Sequence, residues 1–186
     1  MHNRPSLVQA RRTSQRGLTL VELLAVVAIV GILSAVGITS VRRYVASSKM
    51  SEAIHMIGLI KSAQETFKDE TFTYLNVSSG PDDFYPKNPL PGQMKMNFPG
   101  NAPGATGWQT LAIHEDAPML FVYSCTAGDA AKKPETGTGI TVANWPSAAL
   151  GKPWYVVKAK ADLRGDGIST VFLSSSFAGE IFSVND

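Results

Sequence analysis

The chain has 186 residues, with 17 Lys plus Arg against 15 Asp plus Glu, a net charge of +2. The length suits one ordinary domain with an appended segment. Charged residues make up 17% and Gly and Pro number 16 and 11, which excludes collagen-like and wholly disordered chains.

The charge is unevenly placed. Residues 1–17 hold Arg4, Arg11, Arg12 and Arg16 and no acid; removing those four leaves 13 basic against 15 acidic side chains, a balance of −2. The basic excess therefore belongs to a short tail, and it argues against a nucleic-acid-binding body. The single cysteine, Cys125, excludes an intramolecular disulfide. It is expected to pack as a small buried hydrophobe.

After Arg16 and Gly17 comes an apolar run from Leu18 to Ile38, with Glu22 as its one charge. At 1.5 Å per residue it spans about 30 Å, the thickness of a bilayer's hydrocarbon core. Arginines on its N-terminal flank place that end in the cytoplasm and the following body outside. Arg42, Arg43 and Lys49 on the other flank weaken the asymmetry. Competing readings are a plain anchor, a cleaved signal peptide ending near Ala35 and Gly37, and a buried core helix. The length of the run and its acid tell against the last two.

A carboxylate inside a membrane helix costs roughly 2.5–3.5 kcal/mol and calls for a partner. Nothing basic lies within the run. A cut between Gly17 and Leu18 would create an α-amine four residues before Glu22, on the same helix face. That amine could pair with Glu22 of its own chain or of a neighbouring copy.

Arg16-Gly17-Leu18-Thr19-Leu20-Val21-Glu22-Leu23 resembles the leader junction of type IV pilins and type II secretion pseudopilins. The resemblance implies cleavage after Gly17 by a membrane prepilin peptidase and N-methylation of Leu18. The family's usual residue there is Phe, so Leu18 is a departure. It assigns Glu22 to registering subunits during helical assembly. Implied partners are other pilin subunits, the peptidase and an inner-membrane assembly platform. The implied location is the bacterial inner membrane as precursor, then an extracellular pilus or a periplasmic pseudopilus.

No proline occurs between Pro5 and Pro81. Met50, Ala53, Ile57, Ile60, Ala63 and Phe67 recur at steps of three and four, one apolar helical stripe. One helix from Leu18 to about Asp69 is predicted, roughly 80 Å long. The leader 1–17 precedes it, and the helix itself divides into a membrane and assembly part 18–38 and an amphipathic continuation 39–70. Gly31 and Gly37 weaken it by about 1 kcal/mol each relative to Ala. They mark Gly31 to Ser40 either as the stretch that melts on assembly or as a place of close helix approach. His55 reads as a surface residue. His114, Glu115 and Asp116 form a polar cluster that does not define a metal site.

Residues 71–186 form the head. The part 71–117 is rich in turn formers and reads as a long connection whose end Trp108, Leu111 and Ile113 anchor. In 118–186, strand-like runs occur at Met119–Cys125, Ile140–Ala143, Trp154–Ala159, Ile168–Ser174 and Glu180–Val184, with alternation in the third. The predicted class is α+β: the long helix packed on a four- to five-stranded antiparallel sheet. Many members of the resembled family close this region with a disulfide. Here main-chain pairing or an ion must serve.

Asp162-Leu163-Arg164-Gly165-Asp166-Gly167 partly resembles a calcium loop, with Asp162 and Asp166 as candidate ligands. Arg164 replaces a third ligand and no closing Glu follows, so a tight turn is favoured over calcium. No other cofactor is expected. There is no nucleophile–base pair, zinc motif or phosphate loop, and the chain reads as a substrate of processing enzymes rather than an enzyme. The expected function is a structural subunit, major or minor, of a type IV pilus for adhesion or twitching motility. The alternatives are a type II secretion pseudopilin and a membrane-anchored surface binding domain. The mature balance of −2 disfavours DNA as a partner.

Overall fold

The computed structural model describes residues 19–98, 105–113, 115 and 117–185. Its elements are helix α1 (Leu20–Thr71), a short helix α2 (Thr106–Thr110), and strands β1 (Val122–Gly128), β2 (Trp154–Ala161), β3 (Thr170–Ser175) and β4 (Phe182–Val184). The fold is α+β as expected. The chain divides after Arg43 into two units.

Within the first unit, α1 is unbroken through Gly31 and Gly37. In the second unit the predicted stripe is the buried one. Ala53, Met56, Ile57 and Ile60 are fully buried, with Met50, Ala63 and Phe67 packed beside them. The helix ends two residues beyond the expected position. Phe72 takes the left-handed conformation, φ 63°, and its N–H bonds the Lys68 carbonyl at 2.7 Å. That geometry normally favours glycine.

The sheet has the order β1-β2-β3-β4, all antiparallel. Tyr123, Cys125, Tyr155, Val157, Ala159 and Phe172 join the stripe of α1 in one core. The neighbouring positions Trp154, Val156, Val171 and Leu173 form a second core with Ile140, flanked by Val142, Trp145 and Leu150. Both faces are thus covered. This corrects the expected in–out alternation: β2 and β3 are buried almost continuously, as strands between two apolar layers must be.

Ile140–Ala143 is not a strand. Both edges of β2 are already taken by β1 and β3. A Cβ on Gly139 would lie 3.5 Å from the Val171 side chain, so this segment crosses a sheet face instead of joining a ladder. In the long connection, Trp108, Leu111 and Ile113 are buried as expected. Trp108 packs with Tyr85 and Phe98. Single bridges tie Tyr85 to Tyr123 and Met96 to Met119.

Candidate functional site

The predicted cleavage pair Gly17 and Leu18 lies outside the described residues; the description begins at Thr19. There the Glu22 carboxylate accepts from the Thr19 N–H at 3.0 Å and from its hydroxyl at 2.8 Å. The Glu22 N–H in turn donates to the Thr19 hydroxyl at 3.3 Å. This is a reciprocal capping box: Thr19 caps the helix, and the acid three residues on reaches back. The helix dipole also favours a negative charge at this end. Glu22 therefore has a partner inside its own chain. The T-x-x-E spacing is the signal in the sequence that marks this box.

Beyond the cap, every described large hydrophobic side chain from Leu20 to Ile38 is 53% to 75% exposed. The segment Leu20–Ile38 has a mean hydropathy of 2.6. It is long and apolar enough to cross a membrane by length and composition. A Cβ on Gly31 or Gly37 would meet nothing within 4 Å. Such a surface on one chain demands a lipid or protein environment.

The Asp162 loop is a hydrogen-bonded turn. One Asp162 oxygen accepts from Gly165 N–H at 2.7 Å and the other from Gly167 N–H at 2.9 Å. The Gly167 N–H above all, joined by those of neighbouring residues, holds the Asp162 carboxyl below its ordinary value. Asp166 accepts from the Ile168 N–H at 2.9 Å. Gly165 and Gly167 supply the positive φ, 72° and 83°, that the turn requires. Among the described residues no group of three or more His, Cys, Asp or Glu is placed to hold a metal. His55 is exposed, as expected. His114 and Asp116 lie outside the described residues.

Three polar ties in the head were not legible in the sequence. Lys158, 1% exposed, bonds Asp82 at 2.5 Å and the Thr138 carbonyl at 2.5 Å. Burial would raise the Asp82 carboxyl, but the ammonium and the Thr138 N–H outweigh it and hold it low. Gln64, also buried, donates to the Leu75 carbonyl at 2.7 Å and accepts from the Leu75 N–H at 3.0 Å. Glu52 accepts from the Leu120 N–H at 2.5 Å, just before β1. Cys125 is fully buried, as expected, and burial pushes its thiol up to about 12.

Residues 12–38 match the family model described as the prokaryotic N-terminal methylation motif. The chain is 46% identical over 57 residues to the fimbrial protein EcpC of Eikenella corrodens, covering 30% of this chain and 37% of the relative. It is 42% identical over 55 residues to the type IV major fimbrial protein FimA of Dichelobacter nodosus, covering 30% and 35%. It is 41% identical over 71 residues to the type IV major pilin protein PilE1 of Neisseria gonorrhoeae, covering 38% and 39%. The matches thus span little more than a third of these relatives' length. No solved structure matches the chain. With the methylation motif at residues 12–38 and an exposed apolar helix behind it, the chain is similar in its N-terminal third to type IV fimbrial proteins and pilins.

Proposed function

We propose that this chain is a structural subunit of a type IV pilus. It is made as a membrane precursor, cut between Gly17 and Leu18 by prepilin peptidase, methylated on Leu18, and polymerised through α1 with other subunits on an inner-membrane platform. The observation that carries the reading is the junction Arg16 to Leu23 immediately ahead of an apolar helix with no buried face of its own. In lipid the helix satisfies its own backbone. In a filament the same surface packs against other copies. Glu22 is held by Thr19 in the single chain, and the α-amine created by cleavage offers it a second, charged partner during assembly. The filament serves adhesion or twitching motility. The role is structural rather than catalytic, and the Asp162–Gly167 loop serves as a turn, without calcium.

Mass spectrometry of the mature protein tests the processing: the expected N-terminus is methyl-Leu18, and one at Ile38 would overturn the reading. Imaging a deletion strain tests the role. Loss of pili supports it, whereas loss of protein secretion with pili intact would identify a pseudopilin instead. Calorimetric titration of the full chain in detergent should show no calcium binding that Asp162→Ala removes.

A further inference from the structure

The face of β2 away from α1 carries two alternate lysines, Lys158 and Lys160, which differ in burial and in pairing. Lys158 is neutralised by Asp82. Lys160, half-buried, has no carboxylate within ion-pair distance among the described residues. Asp82 is not free to serve it, because one oxygen holds Lys158 and the other accepts from the Thr138 N–H at 2.9 Å. The Lys160 ammonium sits 5.8 Å from the centre of the Phe84 ring. A cation over an aromatic face is attracted to it but keeps its charge uncompensated.

Phe84 and Lys160 border a cleft of about 490 Å³ whose other walls include Pro86, Pro89, Pro91 and Val122. The volume falls within the range of small-ligand sites. The cleft is preformed. Tyr85 exchanges two main-chain hydrogen bonds of 2.7 Å with Tyr123, and the Asp162 N–H donates to the Pro91 carbonyl at 2.7 Å. The prolines fix their own φ, so little ordering cost attends binding. Lys87 at the rim is held by Asp83, and Asp82 also faces the cleft. With Asp82 paired to Lys158 and Lys87 to Asp83, the site offers one uncompensated positive charge beside an apolar wall.

We propose that the Phe84–Lys160 cleft binds an apolar monocarboxylate: a carboxylate on Lys160, with its aromatic or aliphatic body against Phe84 and the prolines. The same chemistry is presented by a free arylalkanoate and by the C-terminal Phe of a peptide. The reading is independent of filament assembly.

The test uses the full chain in zwitterionic detergent, followed by amide NMR. The probes are 3-phenylpropionate, its uncharged amide, the peptide acetyl-Gly-Gly-Phe as acid and as amide, and a short oligothymidylate. Saturable shifts near Phe84, Val122 and Lys160 are expected with the acids. Binding should weaken about tenfold for the amides and for Lys160→Gln, the loss of one partly desolvated charge contact. Lys160→Arg should retain it, and undisturbed peaks elsewhere report that each variant is folded. Saturation by phenylpropionate alone identifies a small-molecule site, and tighter binding of the peptide acid identifies a chain terminus. No saturation by either acid, equal binding of acid and amide, or preference for the oligothymidylate would each overturn the proposal.

Discussion

Lys158 and Asp82 are an unequal pair. The lysine is 1% exposed and the aspartate 38%, so removing one partner is not equivalent to removing the other. Asp82→Asn leaves a buried ammonium without its counter-ion beside the neutral Thr138 carbonyl, and stranded buried charge is among the costliest defects. Lys158→Met leaves a carboxylate that water can reach and fills the site with apolar volume. We predict a loss of about 3 kcal/mol for Asp82→Asn and about 1 kcal/mol for Lys158→Met. Urea unfolding of both variants measures the difference, and equal losses would show that the pair is solvated. This tie was invisible in the sequence because its members are 76 residues apart. A lysine in a strand-like run reads first as a solvent-facing residue. Cys125, by contrast, was legible, because a lone thiol in a β-rich run behaves as a small hydrophobe.

At the scale of elements, helix α1 was legible because its signals are local. A proline-free run, an all-round apolar half and a stripe at steps of three and four need no knowledge of the partner surface. Gln64 was not, because it sits on the buried face at helical spacing between Ile60 and Phe67 and is polar. Its amide pairs with both main-chain groups of Leu75, which fastens the chain leaving the helix. Gln64→Leu keeps the bulk and strands two peptide groups, at a cost of about 2 kcal/mol. Hydrogen exchange at Leu75 should accelerate first. Ile140–Ala143 shows the opposite error. Local β propensity cannot say whether a ladder edge is vacant, and here none beside β2 was. At the other end of α1, the Thr19–Glu22 box predicts that Thr19→Ala frays the first turn by about 1 kcal/mol. Amide exchange of Glu22 and Leu23 in detergent micelles measures it. Unchanged protection there would mean that the box does not hold in the membrane.

At the scale of the molecule, charge and redox chemistry set the conditions under which the head stays folded. Cleavage after Gly17, as proposed, would remove the four arginines of residues 1–17 and turn the side-chain balance from +2 to −2, mildly acidic. Among the described residues of the head, three carboxylates have lowered values: Asp82, Asp162, and Asp83, which Lys87 and then Ser79 hold down to about 2. A group lowered in the folded state stabilises above its unfolded value, 3.8 for Asp83, and loses that contribution as pH falls through the folded one. The urea midpoint should therefore be flat from pH 7 to 5 and fall below about pH 4. Asp83→Asn should remove under about 1 kcal/mol of that drop, since its partner Lys87 is exposed.

No disulfide contributes, so dithiothreitol should leave the melting temperature unchanged. Cys125 then becomes a reporter of the whole head. A free thiol titrates near about 8.5, and this one is pushed up to about 12 by burial. At pH 8 the native thiolate population is smaller by roughly a thousandfold. It is also fully enclosed in the core beneath α1. Iodoacetamide should therefore modify Cys125 only through molecules that have opened. Because the thiol projects from β1 into the core shared with the helix, that opening must separate the helix from the sheet. Labelling rates measured against urea should rise along the same curve as the loss of helical signal. Rapid labelling without urea would mean that α1 lifts from the sheet while the strands stay paired, and the head would then unfold in two steps instead of one.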